Sequence, residues 1–128
     1  MPGADLAVGD VHHESRRESF MLCIVKDFDL GDLPARAADI AGHLTANGFT
    51  EAPHLRQTLA LAEEVGEFVG AVRRHYGMAR RSGSFDDVEA ELADVVITAF
   101  VTAHTLGIDL PRAIADKLDV VFTRGWRS

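Results

Sequence analysis

At 128 residues the chain fits one domain, long enough to bury a core and too short for two independent ones. Hydrophobic residues at 47% and charged residues at 26% match an ordinary globular protein, and no apolar run approaches the ~20 residues that cross a bilayer, so no membrane partner is expected. The net charge of −7, from 20 acids against 13 Lys plus Arg, opposes tracking along a nucleic-acid polymer.

The opening stretch, MPGADLAVGDVHHESRRESF, has an acid early and no charged-then-apolar order, so it does not read as a secretory signal. Residues 1–18 read as a mobile arm and 19–30 as an ordered segment without clear periodicity. The expected division is therefore an N-terminal arm, partly disordered, over 1–30 and a folded domain over 31–128. The lone Cys23 cannot form an internal disulfide, which fits a reducing cytoplasm, and within FMLCIV it reads as a small hydrophobe.

Four helices follow. Asp32 can cap the first, with Pro34 in its first turn, a stripe of Leu33, Ala37, Ile40, Ala41 and Leu44, and Gly48 as the stop. A second is expected from about His54 to Tyr76, striped by Leu61, Val65, Phe68, Val72 and Tyr76. Ser84 can cap a third, with Asp86 and Asp87 in its first turn and Val88, Leu92, Val95, Ala99, Ala103 and Leu106 on one face. Gly107 ends it, and Asp109 and Pro111 open a fourth with Ile114, Leu118, Val121 and Phe122. The fold class is all-α, a four-helix bundle. The segment VVITAFVTA in the third helix is apolar on nearly every side, so burying it in a chain this short calls for an oligomeric partner.

The second and third helices share a pattern when offset by 27 residues: Leu61, Val65, Phe68 and Val72 fall on Val88, Leu92, Val95 and Ala99. Glu64 then falls on Glu91, and Glu67 on Asp94. At 3.6 residues per turn the first acid of each pair lies roughly 80° from the centre of its stripe and the second roughly 140°, so both pairs occupy one flank. Two i, i+3 carboxylate pairs on packed neighbours make a hard-oxygen site suited to Mg²⁺, with Mn²⁺ as the substitute. Ala60 and Ala71 complete the row on the second helix, and Gly66 and Gly70 cost about 1 kcal/mol each relative to Ala, which points to a close approach there. A single ExxE is ordinarily a solvated face; two matched pairs without a basic residue at i+4 are not. A di-iron reading needs Glu-x-x-His on a helix, and the only such spacing, Glu51 to His54, contains Pro53.

These residues resemble the MazG-like, or all-α, nucleoside triphosphate pyrophosphohydrolases, whose signature is EExxE followed some two dozen residues later by ExxD. Here it reads Glu63-Glu64-Val65-Gly66-Glu67 and Glu91-Leu92-Ala93-Asp94, and the likeness runs over roughly residues 33–127. The resemblance implies a bundle assembled as a homodimer or homotetramer. It also implies Mg²⁺-dependent hydrolysis of nucleoside or deoxynucleoside triphosphates to the monophosphate and pyrophosphate, in clearance of the nucleotide pool. Glu64, Glu67, Glu91 and Asp94 would be metal-holding and catalytic. Glu63 belongs to the motif, but its angle puts it opposite the apolar stripe, leaving a supporting or solvated role.

By the same resemblance Lys117 and Arg124, seven residues apart on one face, contact phosphates; the alternative is a solvated helix end that complements the dipole. Arg80 and Arg81, on the loop GMARRSGS, could close over a triphosphate or only keep the loop solvated. His43, Phe49, His54 and Trp126 are the candidates for contact with the nucleobase. Two other readings stay open: phosphoribosyl-ATP pyrophosphohydrolase-type activity, and a non-catalytic nucleotide-binding bundle that keeps the acids for a structural cation.

Overall fold

The computed structural model describes residues 28–124, and the expectations for the arm, Cys23 and Trp126 lie outside them. The chain divides into two units, Met1–Asp32 and Leu33–Ser128. Of the first, the described part is a single 3₁₀ turn at Leu30–Asp32, where the Asp32 N–H donates to the Asp29 carbonyl at 2.9 Å.

The second unit holds four helices: α1 (Leu33–Ala46), α2 (Pro53–His75), α3 (Phe85–Leu106) and α4 (Leu110–Arg124). No strand occurs among the described residues, and the all-α class expected from the periodicity is the one observed. Local chemistry sets the boundaries. Pro53 opens α2, where its missing N–H leaves no helical bond unmade. The α2 N-cap is Ala52, held at a left-handed φ of 43° with no side-chain cap. Ser84 closes a capping box at α3: its hydroxyl accepts from the Asp87 N–H, and the Asp87 carboxylate accepts from the Ser84 N–H, both at 3.2 Å. Gly107, at φ 72°, supplies the left-handed C-cap that ends α3. At α4 the Asp109 carboxylate accepts from the Arg112 N–H at 3.2 Å.

Helices α2 and α3 form an antiparallel hairpin. Near its open end the Thr102 hydroxyl lies 3.3 Å from the Gln57 carbonyl. At its closed end the rings of His75 and Phe85 meet edge-on, with centroids 5.4 Å apart. Helix α1 packs on α3 and buries Leu33 and Ala37. Helix α4 leaves α3 at a bend of 109° and buries none of its residues. Among the described residues no single helix is long and apolar enough to cross a membrane.

The core is thin: among the described residues Leu33, Ala37, Ala71, Val88, Val101 and Ala103 are its buried apolar members, and no large side chain there falls below 2% exposure. The paired stripes are only partly covered, for Val65 and Leu92 remain 43% and 47% exposed. Within VVITAFVTA, Val101 and Ala103 are buried while Val96 and Ile97 face outward. Tyr76, expected on the α2 stripe, lies one residue past the end of that helix and is exposed. Its N–H still donates to the Val72 carbonyl at 3.0 Å, so Tyr76 keeps its place on the stripe, and it is exposed because the stripe is uncovered at that end.

Candidate active site

The antiparallel hairpin brings the two acidic pairs together. Residues of α2 and α3 whose numbers sum to about that of Gln57 plus Thr102 stand opposite one another, which sets Glu64 and Glu67 across from Asp94 and Glu91. One carboxylate oxygen each from Glu64, Glu67 and Glu91 lies within 4.8 Å of the other two. That spacing is close enough for one small cation to serve all three. Asp94, one turn along α3 from Glu91, stands outside this group of three and is exposed.

Three observations say that the cluster is electrically unbalanced. Among the described residues the ion pairs are Arg36–Asp39 and Arg112–Asp116, so no lysine or arginine there neutralises the four acids. The Oε2 atom of Glu91 is buried without a hydrogen-bond partner, an arrangement that costs free energy unless something positive meets it. The Glu64 carboxyl titrates above its ordinary value, first because burial penalises its charge and then because Glu67, Asp94, Glu91 and Glu63 repel it. A divalent cation fits this donor set: it would partner the orphaned oxygen and relieve the repulsion together.

The other expected residues are more dispersed. Glu63 is exposed and lines a shallow groove with Glu51, Leu55 and Leu59 on the outer side of α2. Arg80 and Arg81 are exposed on the 76–84 loop. Lys117 and Arg124 are exposed on α4, the helix that turns away from the hairpin. His43 sits in the last turn of α1 and His54 in the first turn of α2, both exposed.

A cavity of about 490 Å³ lies between α1 and the hairpin, one helical turn from Glu64 through Ala60. Leu44, Phe49, Arg56, Gln57 and His104 are among its lining, and His43 and His54 are not. The Arg56 guanidinium carbon stands 5.3 Å from the centre of the Phe49 ring, a cation–π contact that fixes both at the rim. Arg56 and Gln57 were not singled out from the sequence, although Gln57 gives a usable signal. It falls four residues before Leu61, a polar side chain in phase with an apolar stripe, and it is buried.

The helical glycines have a different setting from the close approach expected of them. A Cβ at Gly66 would meet no atom within 4 Å, and at Gly70 only the side chain of Arg74 on the same helix comes near. Among the described residues the space beside Gly66, between Glu64 and Glu67, is therefore open. Gly66→Ala is expected to stabilise the fold by up to about 1 kcal/mol through helix propensity alone. The midpoint of urea unfolding reads this directly, and a lower midpoint would show the space to be filled.

Residues 52–123, which carry α2, α3 and nearly all of α4 together with both acidic pairs, match the MazG nucleotide pyrophosphohydrolase domain. The chain belongs to that family. The match begins at Ala52, so α1, which forms one wall of the cavity, lies outside it. Neither the curated proteins nor the solved structures provide a match to the chain. As a MazG-domain protein it carries the fold of a nucleotide pyrophosphohydrolase, a hydrolase of phosphorus anhydrides, and the acidic cluster is a site able to bind the metal on which that family typically depends.

Proposed function

We propose that this MazG-domain protein hydrolyses nucleoside or deoxynucleoside triphosphates to the monophosphate and pyrophosphate, with Mg²⁺ as its metal and Mn²⁺ able to replace it. The observation that carries this reading is the unpartnered Glu91 Oε2 inside a convergent, unneutralised set of carboxylates. Glu64, Glu67 and Glu91, joined by Asp94, would hold the cation. Once bound it would neutralise the phosphate chain and polarise the attacked phosphorus. The chain's own part is to fix those oxygens on two rigid helices and to keep one carboxylate free to orient the attacking water and accept its proton. The cavity beside Ala60 is of the size that takes a small organic group, and Phe49 and Arg56 offer a flat rim for a nucleobase. Lys117, Arg124 and Arg81 are the proposed phosphate contacts. The physiological role proposed is clearance of the nucleotide pool by a cytoplasmic homo-oligomer.

The test is pyrophosphate release from a panel of nucleoside triphosphates and phosphoribosyl-ATP, with and without Mg²⁺, using Asp94→Asn as the control. Metal-dependent release by the native chain, at least about tenfold above the control, is the expected result. Equal release by both proteins, or none on any substrate, sinks the enzymatic reading. Release confined to phosphoribosyl-ATP would move the activity to that substrate.

A further inference from the structure

We infer that Arg74 binds the phosphates that end up as pyrophosphate, so that a nucleoside triphosphate lies along one row of α2, its base at Arg56 and its outer phosphates at Arg74. The inference rests on the function proposed above and adds the direction of the substrate and the cation at its far end.

Two glycines make the place for this side chain. A Cβ at Gly70 would stand 3.2 Å from the Arg74 Nη1 atom, and one at Gly83 would stand 3.0 Å from the Arg74 Cβ and 3.6 Å from its Nε. Neither glycine is at positive φ, so the course of the backbone requires neither of them. Gly70 weakens the helix it sits in, and what it provides is room for the guanidinium. The Arg74 side chain therefore leans back one turn along α2, toward Glu67 and away from the free carbonyls at the helix end. Its neighbour Arg73 does the opposite and donates to the Met78 carbonyl at 3.3 Å, so complementing the helix end falls to Arg73. Arg74 is half-buried and forms no ion pair among the described residues. Asp87, on the other side of Gly83, has its carboxylate in the Ser84 capping box.

Phase supplies the second argument. At 3.6 residues per turn, Arg56, Glu63, Glu67 and Arg74 fall within about 20° of one line down α2, with a cation at each end and carboxylates between. Arg56 ends the row at the cavity, against Phe49. From Ala60, at the edge of that cavity, to Gly70, where the Arg74 guanidinium lies, the helix rises about 15 Å. That is the order of length of an extended nucleoside triphosphate, and Glu64 and Glu67 stand between the two points. With the base in the cavity and the phosphate chain at the carboxylates, the outer phosphates come to Arg74. A guanidinium suits that end, because it stays charged at every working pH and its fork matches two phosphate oxygens at once.

The experiment titrates inorganic pyrophosphate, with Mg²⁺ present, into the native full-length chain and into Arg74→Gln, Gly70→Leu and Arg73→Gln, followed by calorimetry. Arg73→Gln removes the same charge one residue away. Gly70→Leu removes no charge, favours the helix and fills the place of the guanidinium. Pyrophosphate affinity is expected to fall at least about tenfold in Arg74→Gln and Gly70→Leu, and less than about twofold in Arg73→Gln. If either of the first two loses its helical signal, the other decides. On triphosphates, Arg74→Gln is expected to lower kcat/KM at least about tenfold and to leave the order of preference among the bases unchanged. Absence of pyrophosphate binding by the native chain, equal losses in the two arginine variants, or native affinity in a folded Arg74→Gln or Gly70→Leu overturns the inference. A changed order of base preference also overturns it, because the base would then be at Arg74. Any of these results beside a native protein that turns over triphosphates leaves the proposed function standing. A native protein inactive on every nucleotide sinks the proposed function, and the pyrophosphate titration still decides the role of Arg74.

Discussion

Replacing Glu91 with glutamine is expected to lower pyrophosphate release by at least about a hundredfold, equivalent to about 2.7 kcal/mol of transition-state stabilisation, while the helical signal stays intact. Glu91 supplies the buried oxygen that no protein group satisfies, together with one of the three oxygens within 4.8 Å of each other. An amide keeps the shape but removes the charge that a hard cation requires, so metal affinity and rate should fall together. The thermal midpoint separates the two roles. In the native protein, a cation at about 100 times its dissociation constant adds about 2.7 kcal/mol of stability by mass action. In Glu91→Gln that increment should vanish, while the metal-free midpoint holds or rises because a repelled charge is gone. Full activity in this variant, or an unchanged response to Mg²⁺, would show that the cluster is not the metal site.

Glu64 makes the same balance visible as a function of pH. Its carboxyl titrates above the ordinary value near 4.5, so between that value and the raised one the folded chain binds more protons than the unfolded chain. Its contribution to stability is therefore greatest at acid pH and is lost as pH rises through the raised value. Metal binding needs the ionised form, so the stabilisation that Mg²⁺ confers should grow over the same interval. Thermal midpoints of native and Glu64→Gln proteins, with and without Mg²⁺ from pH 4 to 8, are expected to differ most in their slopes there. Parallel curves for the two proteins would remove Glu64 from the cluster's electrostatics.

Much of this arrangement is legible in the chain before any coordinates. The caps at Ser84 and Gly107 are local chemistry, written in neighbouring residues, and they set the bounds of α3 as expected. The matched acids are legible because a hairpin of two helices with one repeated pattern places equal phases against each other. Which three oxygens converge, and that Glu91 rather than its neighbours holds the orphaned one, depends on side-chain directions that spacing alone does not carry. The cavity is harder still to foresee, because it needs α1, which has no repeat relation to α2 and α3, and because Arg56 reaches it from a turn read only as a helix start. The bend before α4 was foreshadowed by Gly107 and Pro111, but its angle follows from the backbone of the Gly107–Asp109 break, not from any apolar period.

Leu118→Asp is expected to convert the protein to a monomer and to abolish activity while leaving the four helices formed. Leu118 is half exposed in the single chain and stands at the middle of the α4 stripe between Ile114 and Val121. A leucine buried on assembly contributes about 1.5–3 kcal/mol. A two-fold dimer removes it twice, for a loss of about 3–6 kcal/mol and a rise in dissociation constant of at least about a hundredfold. The aspartate adds an unpaired charge to a surface that assembly would dehydrate. The effect should fall on assembly more than on the fold, because α4 buries none of its residues in the single chain and Leu118 is only half covered there. Sedimentation velocity of native and variant proteins at equal concentration distinguishes the outcomes. A native monomer, or a variant that sediments and turns over substrate as the native protein does, would mean that the exposed stripes of α2, α3 and α4 are not covered by one another. A monomeric variant with normal helicity and no turnover would mean that the four acids, though all present within one chain, do not support turnover until a second chain joins it.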